Sequence, residues 1–454
     1  MKHWLGICVW LAVLAAMPHT LWAQAFRYQP QSATGAAQAN AFSAQADDPS
    51  AIFYNGAGIT QLSGIQFSST LQLLGATVDF RNAAGQTTSG DPGGTIAAPP
   101  PAQFYVTANL GDVVSNKLTG LSIGIGVSTP FALTSRYPDS SPISTSVTRA
   151  AIPLLNISPT LAYRLTNRLS VGVGADIYTF AGFVGEGHVE QRFIWPGGGV
   201  LPPGAPVELN GKGTAAGVNG SVLYHALLND DQKPILNIGA VYRSQAVLPL
   251  HGTLLVNGTP ISDAQSTLVL PPSFVFAVAF WPIRDRNQEW KLEVDLNYYW
   301  WNFIKQTDVT LANGAVIPQP RNWKAVPSVS IGTEYLWLHP ALLPHWQVAL
   351  RAGYTYTQSQ VPDLTFSPAI PSLTSHTFAG GVGFMCREGG NFLGMIPCGR
   401  NAALPWYPKA IGLDLSWQAW VYPDRVVQDN LNPSVNGLYQ VHLFLGAMSL
   451  RAAF

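Results

Sequence analysis

The chain of 454 residues carries 24 Lys+Arg against 24 Asp+Glu, so only 11% of it is charged, less than half of the roughly 25% usual in soluble domains. That balance excludes a nucleic-acid-binding surface, which would have to be basic, and 14 Trp, 16 Tyr and 20 Phe exclude a disordered chain. With 43 Gly and 35 Pro, many turns and few long helices are expected.

Met1, Lys2 and His3 form a short basic start, Trp4 to Met17 is a nearly unbroken apolar run, and Ala23-Gln24-Ala25 offers small residues to a signal peptidase. Residues 1–25 therefore read as a secretory signal, cleaved to leave Phe26 first. A retained anchor would need about 20 apolar residues, more than the run provides.

Residues 26–63 show no alternation. They run from an Ala-rich stretch through Asp47-Asp48-Pro49 to Phe53-Tyr54-Asn55-Gly56-Ala57-Gly58. A tail outside the main fold and a hatch, or plug, folded into a lumen are the two readings of this segment.

From there to the end, period-two alternation dominates. Between Trp290 and Trp300, Trp290, Leu292, Val294, Leu296 and Tyr298 alternate with Lys291, Glu293, Asp295, Asn297 and Tyr299. In a strand the two sets point to opposite faces. Such segments recur at 64–80, 102–111, 118–130, 146–164, 168–180, 213–227, 234–245, 273–282, 289–300, 325–336, 346–357, 376–385, 411–420 and 438–454. Short polar turns alternate with long Pro/Gly-rich loops at 81–101, 182–211, 246–272 and 302–322. Residues 64–454 are thus expected to form an all-β, antiparallel transmembrane barrel of about 14 strands. A soluble sandwich or propeller would alternate too. Apolar sets ending in Trp and Tyr, opposite sets rich in charge and Gly, and the aromatic end at Phe454 favour the barrel.

Cys386 and Cys398 are the two mature cysteines, and export to an oxidising compartment makes pairing the default. The segment between them holds Gly389, Gly390 and Gly394, so a disulfide is expected to staple it. Residues 386–410 read as an insertion where a short turn would suffice. By parity, Arg243, Lys291, Glu293, Asp295, Glu334, Arg351 and Asp414 face the lumen, and Asp295, Glu334 and Arg351 are expected near one another. They read either as a network bracing barrel and hatch, or as a site where Arg243 or Arg351 meets a ligand carboxylate.

Small residues, Asp47-Asp48 and an aromatic followed by Asn55-Gly56-Ala57-Gly58 resemble the hatch of the FadL/TodX outer-membrane transporters. The resemblance continues through Val127 to Thr134 (VSTPFALT), Asn156 to Arg164 (NISPTLAYR), Val241-Tyr242-Arg243-Ser244, Asp295 to Trp301 (DLNYYWW), Gly332-Thr333-Glu334-Tyr335 and Arg351-Ala352-Gly353-Tyr354. One departure is Gly56, where that family usually has Pro. The resemblance implies passive uptake of long-chain fatty acids or other hydrophobic compounds, such as aromatic hydrocarbons, across the outer membrane of a Gram-negative bacterium. It also implies capture outside, a lumen pocket gated by the hatch at Phe53 to Gly58, and lateral exit at a kinked third strand. In that strand Gly124, Gly126 and Pro130 would weaken pairing, although the glycines could equally make room for the plug.

The partners implied are a hydrophobic small molecule, outer-membrane lipid and the barrel assembly machinery, which would read Phe454. No cofactor, metal or catalytic residue is expected. A nonspecific pore or purely structural barrel, and an outer-membrane lipid-modifying enzyme, are the competing readings; the mature histidines group into no recognisable triad.

Overall fold

The computed structural model describes residues 26–92, 103–182, 184–198, 202–399 and 407–454. The expected signal at 1–25 lies outside these residues, as does part of the 386–410 insertion.

Fourteen antiparallel strands close into a barrel. They are β1 (Ile65–Arg81), β2 (Gln103–Asn109), β3 (Leu121–Ser128), β4 (Leu155–Arg164), β5 (Leu169–Thr179), β6 (Ala215–Leu228) and β7 (Pro234–Arg243). The second half comprises β8 (Ser273–Arg284), β9 (Gln288–Tyr299), β10 (Val326–Trp337), β11 (Trp346–Thr357), β12 (Ser375–Cys386), β13 (Ala410–Val421) and β14 (Gly437–Ala453). Each pairs with its sequence neighbours, and β1 meets β14 from Gln66↔Ala453 to Arg81↔Leu438, leaving the wall no open edge. Among the described residues no helix is long and apolar enough to cross a membrane, so strands do the crossing.

The pleat sorts the residues as the alternation requires. On β9, Leu292, Val294 and Leu296 are exposed on the outer wall while Lys291, Glu293 and Asp295 are buried inside. On β14, Phe444, Met448 and Leu450 face out and Ser449 faces in. Trp290, Tyr335, Trp337 and Trp346 ring the short-turn end of the outer wall, and Tyr242, Phe274, Tyr298 and Trp300 ring the long-loop end. These are two aromatic girdles.

Two expectations are corrected at the long-loop end. The fourth strand starts at Leu155, not 146: Pro153 cannot donate to a ladder, and Arg149–Pro153 joins a separate sheet instead. Six of that sheet's strands lie in the segments read as loops. Eight strands, running from Ala132–Arg136 to Val316–Ile317 in the chain, form a cap over the barrel. Its longest hairpin, Ala246–Val256 with Thr259–Leu270, turns at Asn257-Gly258, both at positive φ (52° and 75°). Asn-Gly between alternating segments is a strong short-range hairpin signal, and it stands in the sequence.

The interior is filled. Residues 26–62 are almost wholly buried inside the barrel, with α1 (Ala33–Ala37), α2 (Ala51–Tyr54) and a 3-10 turn at Gly56–Gln61 as its only regular elements. The inward glycines that read as a wet lumen admit this plug: a Cβ on Gly332 would stand 2.8 Å from the Gln38 carbonyl oxygen. Above it, Phe26, Phe131, Trp301 and Trp323 join barrel mouth and cap in one apolar cluster.

Candidate functional site

The hatch is held through its backbone. Plug segments this short cannot satisfy their own N–H groups, and burial makes each orphan expensive. Wall side chains supply the partners. Asp295 accepts from the Phe42 and Ser43 N–H at 3.3 and 3.1 Å, and Glu293 from those of Ala44 and Gln45 at 2.6 and 3.3 Å. Four successive amides thus rest on two carboxylates two residues apart on β9. Lys291, buried beside them, bonds Glu293 at 2.7 Å and Gln45 Oε1 at 2.6 Å.

The other lumen charges pair within the protein. Arg351 bonds Glu334, its cross-strand partner, and Asp414 at 2.7 Å, while Arg451 donates to Asp414 at 3.0 Å. Arg243 grips Asp176 at 2.6 Å and donates to the Phe53 carbonyl. Of the three charges expected together, Glu334 and Arg351 meet. Asp295 turns to the hatch, because the Phe42 to Gln45 amides lie over β9.

The Asn55 side-chain nitrogen donates to the carbonyls of Val222 in the wall and Ser43 in the hatch, at 3.0 and 2.8 Å; its oxygen stays within the hatch, accepting from the Ala57 N–H. Ala57 also donates to Ser221 Oγ at 2.9 Å. Phe53 and Tyr54 pack edge to face at 5.1 Å, and the Tyr54 hydroxyl donates to Asn40. Gly56 and Gly58 lie outside the left-handed region; space is what they supply, since a Cβ on Gly56 would stand 3.0 Å from Thr160 and one on Gly58 would meet Ala46.

At the third strand, β3 pairs with β2 and β4 with no register shift, and it ends at Ser128, before Pro130. Pro130 instead accepts the Tyr28 N–H at 2.9 Å, tying down the start of the hatch. A Cβ on Gly124 would stand 2.7 Å from Ile52 Cδ1, and one on Gly126 would stand 3.0 Å from Ile52 Cγ2. Ile52 on α2 therefore fills a notch in the wall. Among the described residues, β2 and β3 are the shortest barrel strands, with 7 and 8 residues, below the about 9–11 that a tilted strand needs to cross a bilayer.

Three cavities meet at Phe26 to Gln29, the start of the segment read as a hatch, where the sequence reading singled out no residue. Phe26 lines one of about 120 Å³ beneath the cap, with Leu133, Ile152, Leu250, Ile304 and Trp323. Arg27 and Gln29 line a second, of about 150 Å³, against Leu74, Val78, Trp420 and Val441. They also line a third, of about 30 Å³, beside Phe53 and Arg243. Arg27 lies 4.4 Å over the Tyr299 ring. The signal was the aromatic-cationic run Phe26-Arg27-Tyr28 directly after the expected cleavage point.

Arg321 lines the cap cavity. It donates to Thr307 Oγ1 at 2.9 Å and Gln319 Oε1 at 2.6 Å, and among the described residues it forms no ion pair within 4 Å. Burial pushes its guanidinium down to about 10, so it stays charged at neutral pH. Cys386 and Cys398 are joined by a disulfide at the short-turn end.

A family model described as outer membrane protein transport protein (OMPP1/FadL/TodX) matches residues 13–390. Among solved structures, a Pseudomonas aeruginosa FadL homologue is 13% identical, with a TM-score of 0.70 over 95% of this chain and 100% of that one. The Pseudomonas putida toluene transporter TodX is 17% identical, with a TM-score of 0.60 over 95% and 100%. The Ralstonia pickettii toluene transporter TbuX is 15% identical, with a TM-score of 0.59 over 89% and 94%. No curated protein matches the chain.

Proposed function

The chain belongs to the OMPP1/FadL/TodX family of outer-membrane transport proteins of Gram-negative bacteria, and from that premise we propose a route for its hydrophobic cargo. The observation that carries the proposal is the segment Phe26 to Gln29, which walls the cavities above and beside the hatch. A fatty acid or aromatic hydrocarbon enters the apolar cavity beneath the cap, on the extracellular side. Its arrival displaces Phe26, and the cavities merge. Because Tyr28 is tied to Pro130, just past β3, the displacement is passed to the wall. Withdrawal of Ile52 then empties the notch at Gly124 and Gly126, where β2 and β3 leave the wall short, and cargo exits sideways into the membrane.

The lumen network braces the hatch in this reading. Arg243 and Arg351 are already committed to Asp176, Glu334 and Asp414, so a ligand carboxylate falls to Arg321. Neutral hydrocarbons need only the apolar lining. No reaction is required, and a nonspecific pore is disfavoured by the filled lumen. Phe454, whose N–H bonds the Ile65 carbonyl at 2.8 Å, closes the wall and presents the aromatic end to the assembly machinery.

A native mass-spectrometry screen of purified protein against fatty acids, alkanes and monoaromatics tests the reading. Retention of hydrophobic ligands, lost on Phe26→Asp, is expected; small-solute conductance with no ligand retained would point to a pore.

A further inference from the structure

Residues 387–399, which follow β12, do not hang below the barrel. Their short hairpin, Asn391–Phe392 paired with Ile396–Pro397, folds back onto the outer surface of the wall. Phe392 stacks on Trp346 at 6.0 Å and packs with Cys386, Cys398, Ile411 and Leu413. Cys386, Ile411 and Leu413 alternate in register with Phe378, Leu415 and Trp417, which face out as the lipid-contacting wall. The cover is pinned by the Cys386–Cys398 bond and by the Cys398 N–H donating to the Gly390 carbonyl at 2.9 Å.

The hairpin covers apolar wall yet exposes apolar surface of its own. Leu393 is 66% exposed, Met395 74% and Ile396 39%, with no charge from Phe392 to Ile396. Arg387 and Glu388 stand at its base, where the Arg387 N–H donates to the His345 carbonyl at 2.8 Å. An apolar tip on a polar base, continuous with the aromatic girdle through Trp346, has the polarity of an interfacial membrane element.

We propose that this disulfide-stapled hairpin is a lipid-binding foot, seated in the periplasmic leaflet of the outer membrane with Leu393 and Met395 among the acyl chains. Its partner is phospholipid. By holding strands β11 to β13 at a set depth, the foot anchors one side of the barrel while the wall at β2 and β3 stays free to open. The inference rests on the membrane placement of the barrel and not on the proposed cargo.

The full mature protein, reconstituted in phosphatidylethanolamine/phosphatidylglycerol vesicles doped with a phospholipid bearing a diazirine near the acyl carbonyl, is photolysed and mapped by peptide mass spectrometry. Adducts on the peptide bearing Leu393 and Met395, within about threefold of the yield on the β13 peptide bearing Leu415 and Trp417, are expected. Adducts on β13 with none on the hairpin would overturn the proposal while leaving the barrel's placement intact. Hydroxyl radicals generated in the aqueous phase give the converse readout, with lipid-facing Met448 as reference. Met395 oxidised several times faster than Met448 would place the hairpin in water. Protection of Met395 without acyl adducts would place a second copy of the chain there. Either result refutes lipid seating.

Discussion

Ile52 of the hatch occupies the space a side chain would take at Gly124 of the wall: a Cβ there would stand 2.7 Å from Ile52 Cδ1 and 3.1 Å from the Val106 carbonyl oxygen. The side-chain tip can yield, whereas the carbonyl belongs to the β2 ladder and cannot. Gly124→Ala should therefore dislodge α2 and loosen the hatch by about 1–3 kcal/mol, read as raised conductance in planar bilayers. Ile52→Ala should partly rescue it. A double-mutant cycle showing no coupling would separate notch from hatch.

The register of β9 predicts opposite outcomes three residues apart. Val294→Arg places a charge on the lipid-facing wall and should cost about 2–4 kcal/mol near the midplane. Asn297 faces the lumen beside the Tyr299 hydroxyl, so Asn297→Arg should be milder. Equal loss of heat-resistant folded barrel in a gel-shift assay would contradict the assigned faces.

Asn55→Ala strips the hatch of its bond to the Val222 carbonyl and takes away the amide that the buried Ser43 carbonyl accepts from, at about 1–3 kcal/mol. The wall does not depend on Asn55, so the barrel should fold while hydrophobic-substrate uptake changes. Deleting residues 26–60 should open a conductive pore. Wild-type uptake by Asn55→Ala cells at equal protein level would reduce the segment to a tether.

Glu293→Gln keeps the shape but removes the charge that two hatch amides and Lys291 share. An unpaired buried cation is left, a change worth about 3–5 kcal/mol in comparable sites. Faster proteolysis within residues 26–62 is expected, with the strand content by circular dichroism unchanged.

Arg321→Gln tests whether the cargo carries a carboxylate. A charge-assisted bond contributes about 1.5–3 kcal/mol, so affinity for a long-chain fatty acid should fall at least about tenfold. Toluene binding, measured on the same preparation, should be unaffected. Parallel losses for both would assign Arg321 to bracing the cap.

The wall is legible in the residues alone, because a barrel strand's environment is encoded locally. Lipid on one face and packed lumen on the other impose a period of two, which is legible in Leu292, Val294 and Leu296 against Lys291, Glu293 and Asp295. The family was legible for a related reason: residues 53–58 and the strand fragments keep their order along one chain. What fills the lumen was decided by contacts no local pattern carries. The Gln45 amide meets Glu334 across 289 positions, and the Ala33 N–H meets Ser449 across 416. Inward glycines look the same in sequence whether water or backbone lies opposite them. The cap is not encoded locally, because most of its strands pair between different loops, and only Asn257-Gly258 marks a hairpin in the sequence. That Arg243 and Arg351 are occupied while Arg321 lines a cavity is likewise tertiary: all three are single cations in strands or loops, and among the described residues the fold brings carboxylates into ion-pair contact only with the first two.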